Sequence, residues 1–147
     1  MENINDKLTI NPDIHGVYGF LILSTQKYLL GTFSKGKKEI ILKSDINFAE
    51  CRIKRGASAP RFKRIIQLRN YKAVNIIEEN MKNFFIKNNL SIISGLIISG
   101  NMKIIKKYLF YERNNELIKE YLYILIETIN DGELGFEEAI KLSMLDN

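Results

Sequence analysis

Few side chains in this sequence have the type and spacing for covalent chemistry. His15 is the only histidine and Cys51 the only cysteine. With no second histidine and no serine–aspartate set around it, His15 gives a catalytic triad little support, and a structural or exposed role accounts for it better. Cys51 stands beside Arg52, a neighbour that can lower a thiol pKa, yet a buried, inert thiol is the simpler reading. A single cysteine excludes an internal disulfide and a cysteine-based zinc site, which fits a reducing compartment. Glu112, Glu116 and Glu120 recur at i, i+4 and i+8. A solvated helix face explains that row better than a metal site, whose ligands converge from several elements. Nothing around Gly56 matches a phosphate-binding loop, which needs a Gly-x-x-x-x-Gly-Lys frame. No catalytic residue, metal ligand or cofactor is therefore expected.

What remains is electrostatic. Five of the six arginines (Arg52, Arg55, Arg61, Arg64 and Arg69) fall within eighteen residues. The window Cys51–Ile77 adds Lys54, Lys63 and Lys72 and holds no acid, so it carries eight positive charges, while the rest of the chain has 14 cations against 17 acids. Arginine offers a planar fork of donors that suits phosphate and stacks on bases. A mildly acidic body with one arginine-rich element points to RNA as the partner. Tyr108, Phe110 and Tyr111 are of a kind that stacks on bases, but their apolar neighbours fit helix packing better.

The elements that must position this window can be read from the pattern around it. The chain has 147 residues, enough for one domain that buries its apolar surface without metal or disulfide help. Residues 1–12 are polar and read as a loose arm, leaving 13–147 as the domain. There is no secretory signal and no apolar run near the ~20 residues of a membrane span. Val17–Leu23 and Tyr28–Thr32 flank a polar turn, and Glu39–Ile46 follows a second turn at Ser34–Lys37, giving an antiparallel meander. Phe48–Pro60 is a basic loop without periodicity. From Arg61 to about Lys87, Phe62, Ile65, Ile66, Val74, Ile77, Met81, Phe84 and Phe85 recur on one helical face. Ser91–Ser99 reads as a fully buried strand of the parallel kind. Gly100-Asn101 opens a helix over Met102–Leu109, and Asn114 or Asn115 caps another over Glu116 and Leu117. Tyr121–Glu127 is a strand, Asp131–Gly135 a loop and Phe136–Leu145 a closing helix with Glu137 and Glu138 in its first turn. The expected fold is α/β: a mixed sheet of about five strands covered by helices, with at least one βαβ crossover.

Four segments together resemble the middle domain of eukaryotic and archaeal class 1 peptide-chain release factors. Ser58-Ala59-Pro60-Arg61-Phe62, between a basic loop and a long helix, is similar to the segment after that family's Gly-Gly-Gln motif. Tyr18-Gly19-Phe20-Leu21-Ile22 with Leu30-Gly31-Thr32 resembles its opening hairpin, and Ile93–Gly100 its buried strand. Gly135-Phe136-Glu137-Glu138-Ala139-Ile140 resembles its last helix. The likeness runs from about Val17 to Ser143. It implies a domain that reaches the peptidyl transferase centre of the large ribosomal subunit. The family's decoding domain and its domain for a partner GTPase have no counterpart in this sequence.

The sequence departs from the family at the motif itself, where Arg55-Gly56-Ala57 stands in place of Gly-Gly-Gln. The resemblance carries the water-positioning role of the glutamine to position 57, where alanine offers a methyl group that neither donates nor accepts a hydrogen bond. Arg55 lacks the backbone freedom of the first glycine, and Pro60 pushes Ala59 toward extended backbone. Gln67 and Gln26 are too far along the chain to stand in. The expectation is a cytoplasmic, monomeric, non-enzymatic protein that docks on the large subunit and blocks its catalytic centre, a ribosome-inactivating or dormancy role. Its contacts to ribosomal RNA would come from Arg52, Lys54, Arg55, Gly56, Ala57, Ser58, Arg61, Lys63, Arg64 and Arg69, with ribosomal proteins as further neighbours and no membrane. The alternative is a divergent peptidyl-tRNA hydrolase serving termination or ribosome rescue. A middle domain excised or engineered from a longer factor is the third reading.

Overall fold

A computed structural model describes residues 16–46, 48, 59–112 and 115–143. The arm over residues 1–12, His15, Cys51 and the loop tip lie outside the described residues.

The chain begins with the expected meander. Strands β1 (Tyr18–Leu23), β2 (Lys27–Ser34) and β3 (Lys37–Asp45) pair antiparallel, with Tyr18 opposite Phe33 and Ser34 opposite Lys37. Lys35 and Gly36 turn β2 into β3 with φ of 52° and 77°. Two consecutive positive φ values make a turn whose twist matches that of the strands it joins. Helix α1 (Ala59–Phe85) then crosses the sheet, and β6 (Gly95–Gly100) lies parallel to β1, Tyr18 opposite Gly95. Helices α2 (Met102–Tyr111) and α3 (Glu116–Tyr121) lead to β7 (Leu122–Glu127), parallel to β6, and α4 (Gly132–Leu142) closes the domain. The five-stranded sheet has the order β3-β2-β1-β6-β7. Fold class and strand count agree with the expectation from the sequence.

Two cores sandwich the sheet. On one face Leu21, Leu23, Tyr28, Leu30, Leu96 and Ile98 meet α1 and α2 through Val74, Ile77, Met81, Phe85, Ile105 and Tyr108. On the other, Phe20, Ile22, Phe33, Ile97 and Ile126 pack on Phe136, Ala139 and Ile140 of α4. Alternation along β1 sends successive residues to opposite cores, which is why that strand is apolar at every position.

Several boundaries differ from the sequence reading, each for a local reason. The buried strand starts at Gly95 rather than Ser91. Short strands β4 (Ile86–Lys87) and β5 (Leu90–Ser91) form a separate hairpin through Asn88 and Asn89, whose φ values are 53° and 62°. The Ser91 hydroxyl then donates to the Ile93 carbonyl and accepts from the Ile93 amide at 2.9 and 3.1 Å. Such a side-chain-to-backbone turn competes with extended pairing, and the same hairpin ends α1 at Phe85 instead of Lys87. Asp131–Gly135 is not a loop, because α4 begins at Gly132 and ends at Leu142. Gly135 sits so close to the preceding turn that a Cβ there would lie 2.5 Å from the Asn130 carbonyl oxygen. Here glycine permits a tight helix entry rather than breaking the helix. Asn115, not Asn114, caps α3, its side chain accepting from the Leu117 amide at 3.0 Å. Glu112, Glu116 and Glu120 do not share a helix: Glu112 is the C-cap of α2, and the other two belong to α3.

Candidate nucleic-acid interface

Of the cationic window, α1 supplies Arg61, Lys63, Arg64, Arg69 and Lys72, and all five side chains are exposed. Arg52, Lys54, Arg55, Gly56, Ala57 and Ser58 lie outside the described residues. Proline at the second position of α1 starts the helix without cost, since its missing N–H would have had no partner there.

The helix is 27 residues long, about 40 Å at 1.5 Å per residue. Among the described residues, the buried α1 members of the larger core begin at Ala73, with Tyr71 packed against them, and Asn70 and Ile66 are buried about one and two turns earlier. This corrects the apolar face read from the sequence. Ile66, Val74, Ile77, Met81 and Phe85 are buried and Phe84 is half-buried, but Phe62 and Ile65 are 46% and 49% exposed. Leu68 and Ile76 are exposed too, at 56% each.

At roughly 100° per residue, Arg61, Arg64, Arg69 and Lys72 fall within about 140° of one another, on the side of α1 facing away from the core. Phe62, Ile65, Leu68 and Ile76 occupy or border the same sector. Lys63 points elsewhere, toward the side that carries the core contacts further along the helix. The outer face of α1 therefore interleaves cations with apolar side chains over about 17 Å, from Arg61 to Lys72.

No acid lies on this stretch of α1, and the described carboxylate beside it is Asp45, which shares a hollow with Arg69 and Lys72. Two ion pairs lie elsewhere, Lys38–Glu137 at 2.7 Å and Lys43–Glu133 at 2.6 Å. Both tie β3 to α4, on the opposite face of the sheet from α1. The first carboxylates on α1 are Glu78, which is buried, and Glu79, two turns beyond Lys72. A row of guanidinium and ammonium groups that outnumbers its described acid is the electrostatic footprint of a polyanion surface.

Two hollows adjoin the row. One, of about 180 Å³, is lined by Asp45, Ile46, Arg69, Lys72, Ala73 and Ile76. The second, of about 360 Å³, shares Asp45 and Ile46 and adds Thr25, Gln26, Lys27 and Phe48. The Lys107 ammonium stands 5.6 Å from the centre of the Phe48 ring and brings one more cation to this side. The sequence reading missed Lys72, Asp45 and Gln26 as site residues. Lys72 was already within the acid-free window, but Asp45 and Gln26 are brought there by the meander, which linear spacing does not show.

Four acidic groups have pKa values displaced away from neutrality. Burial, then the nearby Glu78 carboxylate, holds the Tyr108 phenol far above its ordinary range. Lys43 and Lys38 hold Glu133 and Glu137 below the usual carboxylate range, and the backbone amides of Asn130 and Ile129 do the same to Glu138. No group of three or more metal-ligating side chains occurs among the described residues, and no described helix is long and apolar enough to cross a membrane.

Comparison with known proteins places this arrangement. The family described as eRF1 domain 2 matches residues 17–146. Eukaryotic peptide chain release factor subunit 1 of Loxodes striatus is 27% identical over 128 residues, covering 87% of this chain and 29% of the relative. The same-named protein of Didinium nasutum is 30% identical over 137 residues, covering 86% of this chain and 29% of the relative. The chain thus spans under a third of these relatives. In fold it is similar to the archaeal translation termination factor aRF1, with a TM-score of 0.64 and 15% identity over 87% of this chain and 34% of that one. Archaeoglobus fulgidus Pelota gives a TM-score of 0.56 and 15% identity, covering 90% of this chain and 32% of that one. By sequence and by fold, this chain belongs to the eRF1 domain 2 family.

Proposed function

We propose that this chain binds the large ribosomal subunit through the cationic side of α1 and the basic loop before it, occupying the peptidyl transferase centre without hydrolysing peptidyl-tRNA. The observation that carries the reading is the exposed, acid-free row Arg61, Arg64, Arg69 and Lys72 on the first half of α1, in a domain whose relatives are named as peptide chain release factors. Catalytic silence is supported by Ala57, which stands where the resemblance places the family's glutamine and has no group to orient water. What remains is occupancy. A protein that fills that cavity excludes the acceptor ends of tRNA, which suits a cytoplasmic inactivating or dormancy role.

Co-sedimentation with purified large subunits tests the docking step. At low salt the wild-type chain pellets with the subunits, and Arg61→Ala/Arg64→Ala/Arg69→Ala reduces the bound fraction at least tenfold at unchanged melting temperature. Binding that ignores all three substitutions refutes the RNA interface. Incubation with ribosomes carrying peptidyl-tRNA tests silence: stable binding without peptide release is expected, whereas release would make the chain a divergent hydrolase.

A further inference from the structure

We infer that the hollow between β3 and α1 is a pocket for one unstacked RNA base, and that Asp45 makes it select against uracil; this rests on the RNA-docking reading above. The lining is not that of a plain phosphate site. Arg69 and Lys72, one turn apart on α1, supply the cations. Asp45, at the end of β3, places a carboxylate on the same rim, and an anion alone would be repelled by it. Between them the wall is apolar: Ile46 and Ala73 are buried, while Ile76 leaves more than half its surface in water with no described side chain to cover it.

A nucleotide matches all three features at once. Its phosphate meets Arg69 and Lys72, its flat ring covers Ile76 against Ile46, and its edge faces Asp45. A carboxylate only accepts hydrogen bonds, so it favours bases with an exocyclic amino group, as carboxylates do toward the N4 amino group of cytosine. Adenine, cytosine and guanine carry such a group, whereas uracil offers a carboxylate only its N3–H, flanked by two carbonyl oxygens that the anion repels. An acidic peptide would satisfy the two cations but would meet Asp45 with like charge and leave Ile76 bare. Thr25 and Gln26 of the adjoining hollow continue the surface along which a neighbouring nucleotide would run.

Fluorescence anisotropy with short labelled single-stranded oligomers of cytidine, uridine and abasic ribose phosphate tests the pocket. Cytidine oligomer is expected to bind more tightly than uridine oligomer, and Asp45→Asn to erase that difference. Ile76→Ser, at an exposed position where the fold is indifferent, should weaken cytidine binding about threefold or more and leave abasic binding unchanged, as loss of a base-packing surface requires. Arg69→Ala/Lys72→Ala should flatten the slope of log K against log salt by about 1.4, at about 0.7 per single-strand phosphate contact. Equal binding of all three oligomers, or of none, overturns the pocket, as does an acidic peptide that displaces cytidine oligomer as well as RNA does. If wild type still sediments with large subunits in those cases, the pocket falls and the docking reading stands. If it does not, both fall.

Discussion

Two side chains show how differently single residues weigh in this domain. Phe136 is fully buried in the second core, its ring 5.0 Å from that of Phe20. Truncating it leaves a cavity beneath α4, and Phe136→Ala should cost about 3–5 kcal/mol in urea unfolding. Lys35 sits at the surface but holds a φ of 52°, left-handed backbone that a lysine adopts at a cost. Asparagine tolerates that conformation, and Lys35→Asn would place Asn-Gly, the preferred pair for this turn, between β2 and β3. A stabilisation of about 0.5 kcal/mol is expected, read as a higher denaturation midpoint at unchanged m-value. At this scale the sequence was informative in one direction only. Gly36 announced its turn, whereas Gly132 and Gly135 looked like loop residues and are the first turn of α4, because the close approach of Asn130 is not encoded in any local pattern.

The elements are joined by contacts that respond to acid. α4 is tied to β3 by two ion pairs and to the β7–α4 connection by Glu138, which accepts from the amides of Ile129 and Asn130 at 2.9 Å each. All three glutamates have folded-state pKa values below those of the unfolded chain. The folded state therefore binds fewer protons as the carboxylates titrate, and the stability they contribute is complete above the ordinary glutamate range of about 4.3 and declines as pH falls below it. Melting temperature should be flat near neutrality and drop between about pH 5 and pH 3, and Glu138→Gln should lower it at pH 7 while softening that acid decline. Element identity was largely legible beforehand: the long helix carries its periodicity, and the opening hairpin and the buried strand show as apolar runs bounded by turns. The rotation of α1's first turns was not, since Phe62 and Ile65 continue the apolar spacing of Ile66 and Val74 although only the latter two are buried. Nor was the split before Gly95, which a serine hydroxyl and two asparagines decide against the apolar run.

Across the whole molecule, charge is partitioned by face. On the α4 side Lys38 and Lys43 pair with glutamates, whereas among the described residues the α1 side sets its row of cations beside one carboxylate, Asp45. If four or five of them meet phosphates, log K for large subunits should fall with log salt at a slope of about −3 to −4. Salt should affect stability far less, because exposed ion pairs such as Lys38–Glu137 contribute little. Burial along α1 also thins toward its start, where Ile66 is the first buried side chain and dense contact begins near Asn70. Backbone amides of its last three turns open only when the domain unfolds, while those of its first turns open by local fraying. Hydrogen exchange should thus grade steeply along one continuous helix. Substitutions at the exposed positions of its leading half can then accumulate over evolutionary time with little penalty to folding, so related chains are free to retune what they grip while keeping the same scaffold.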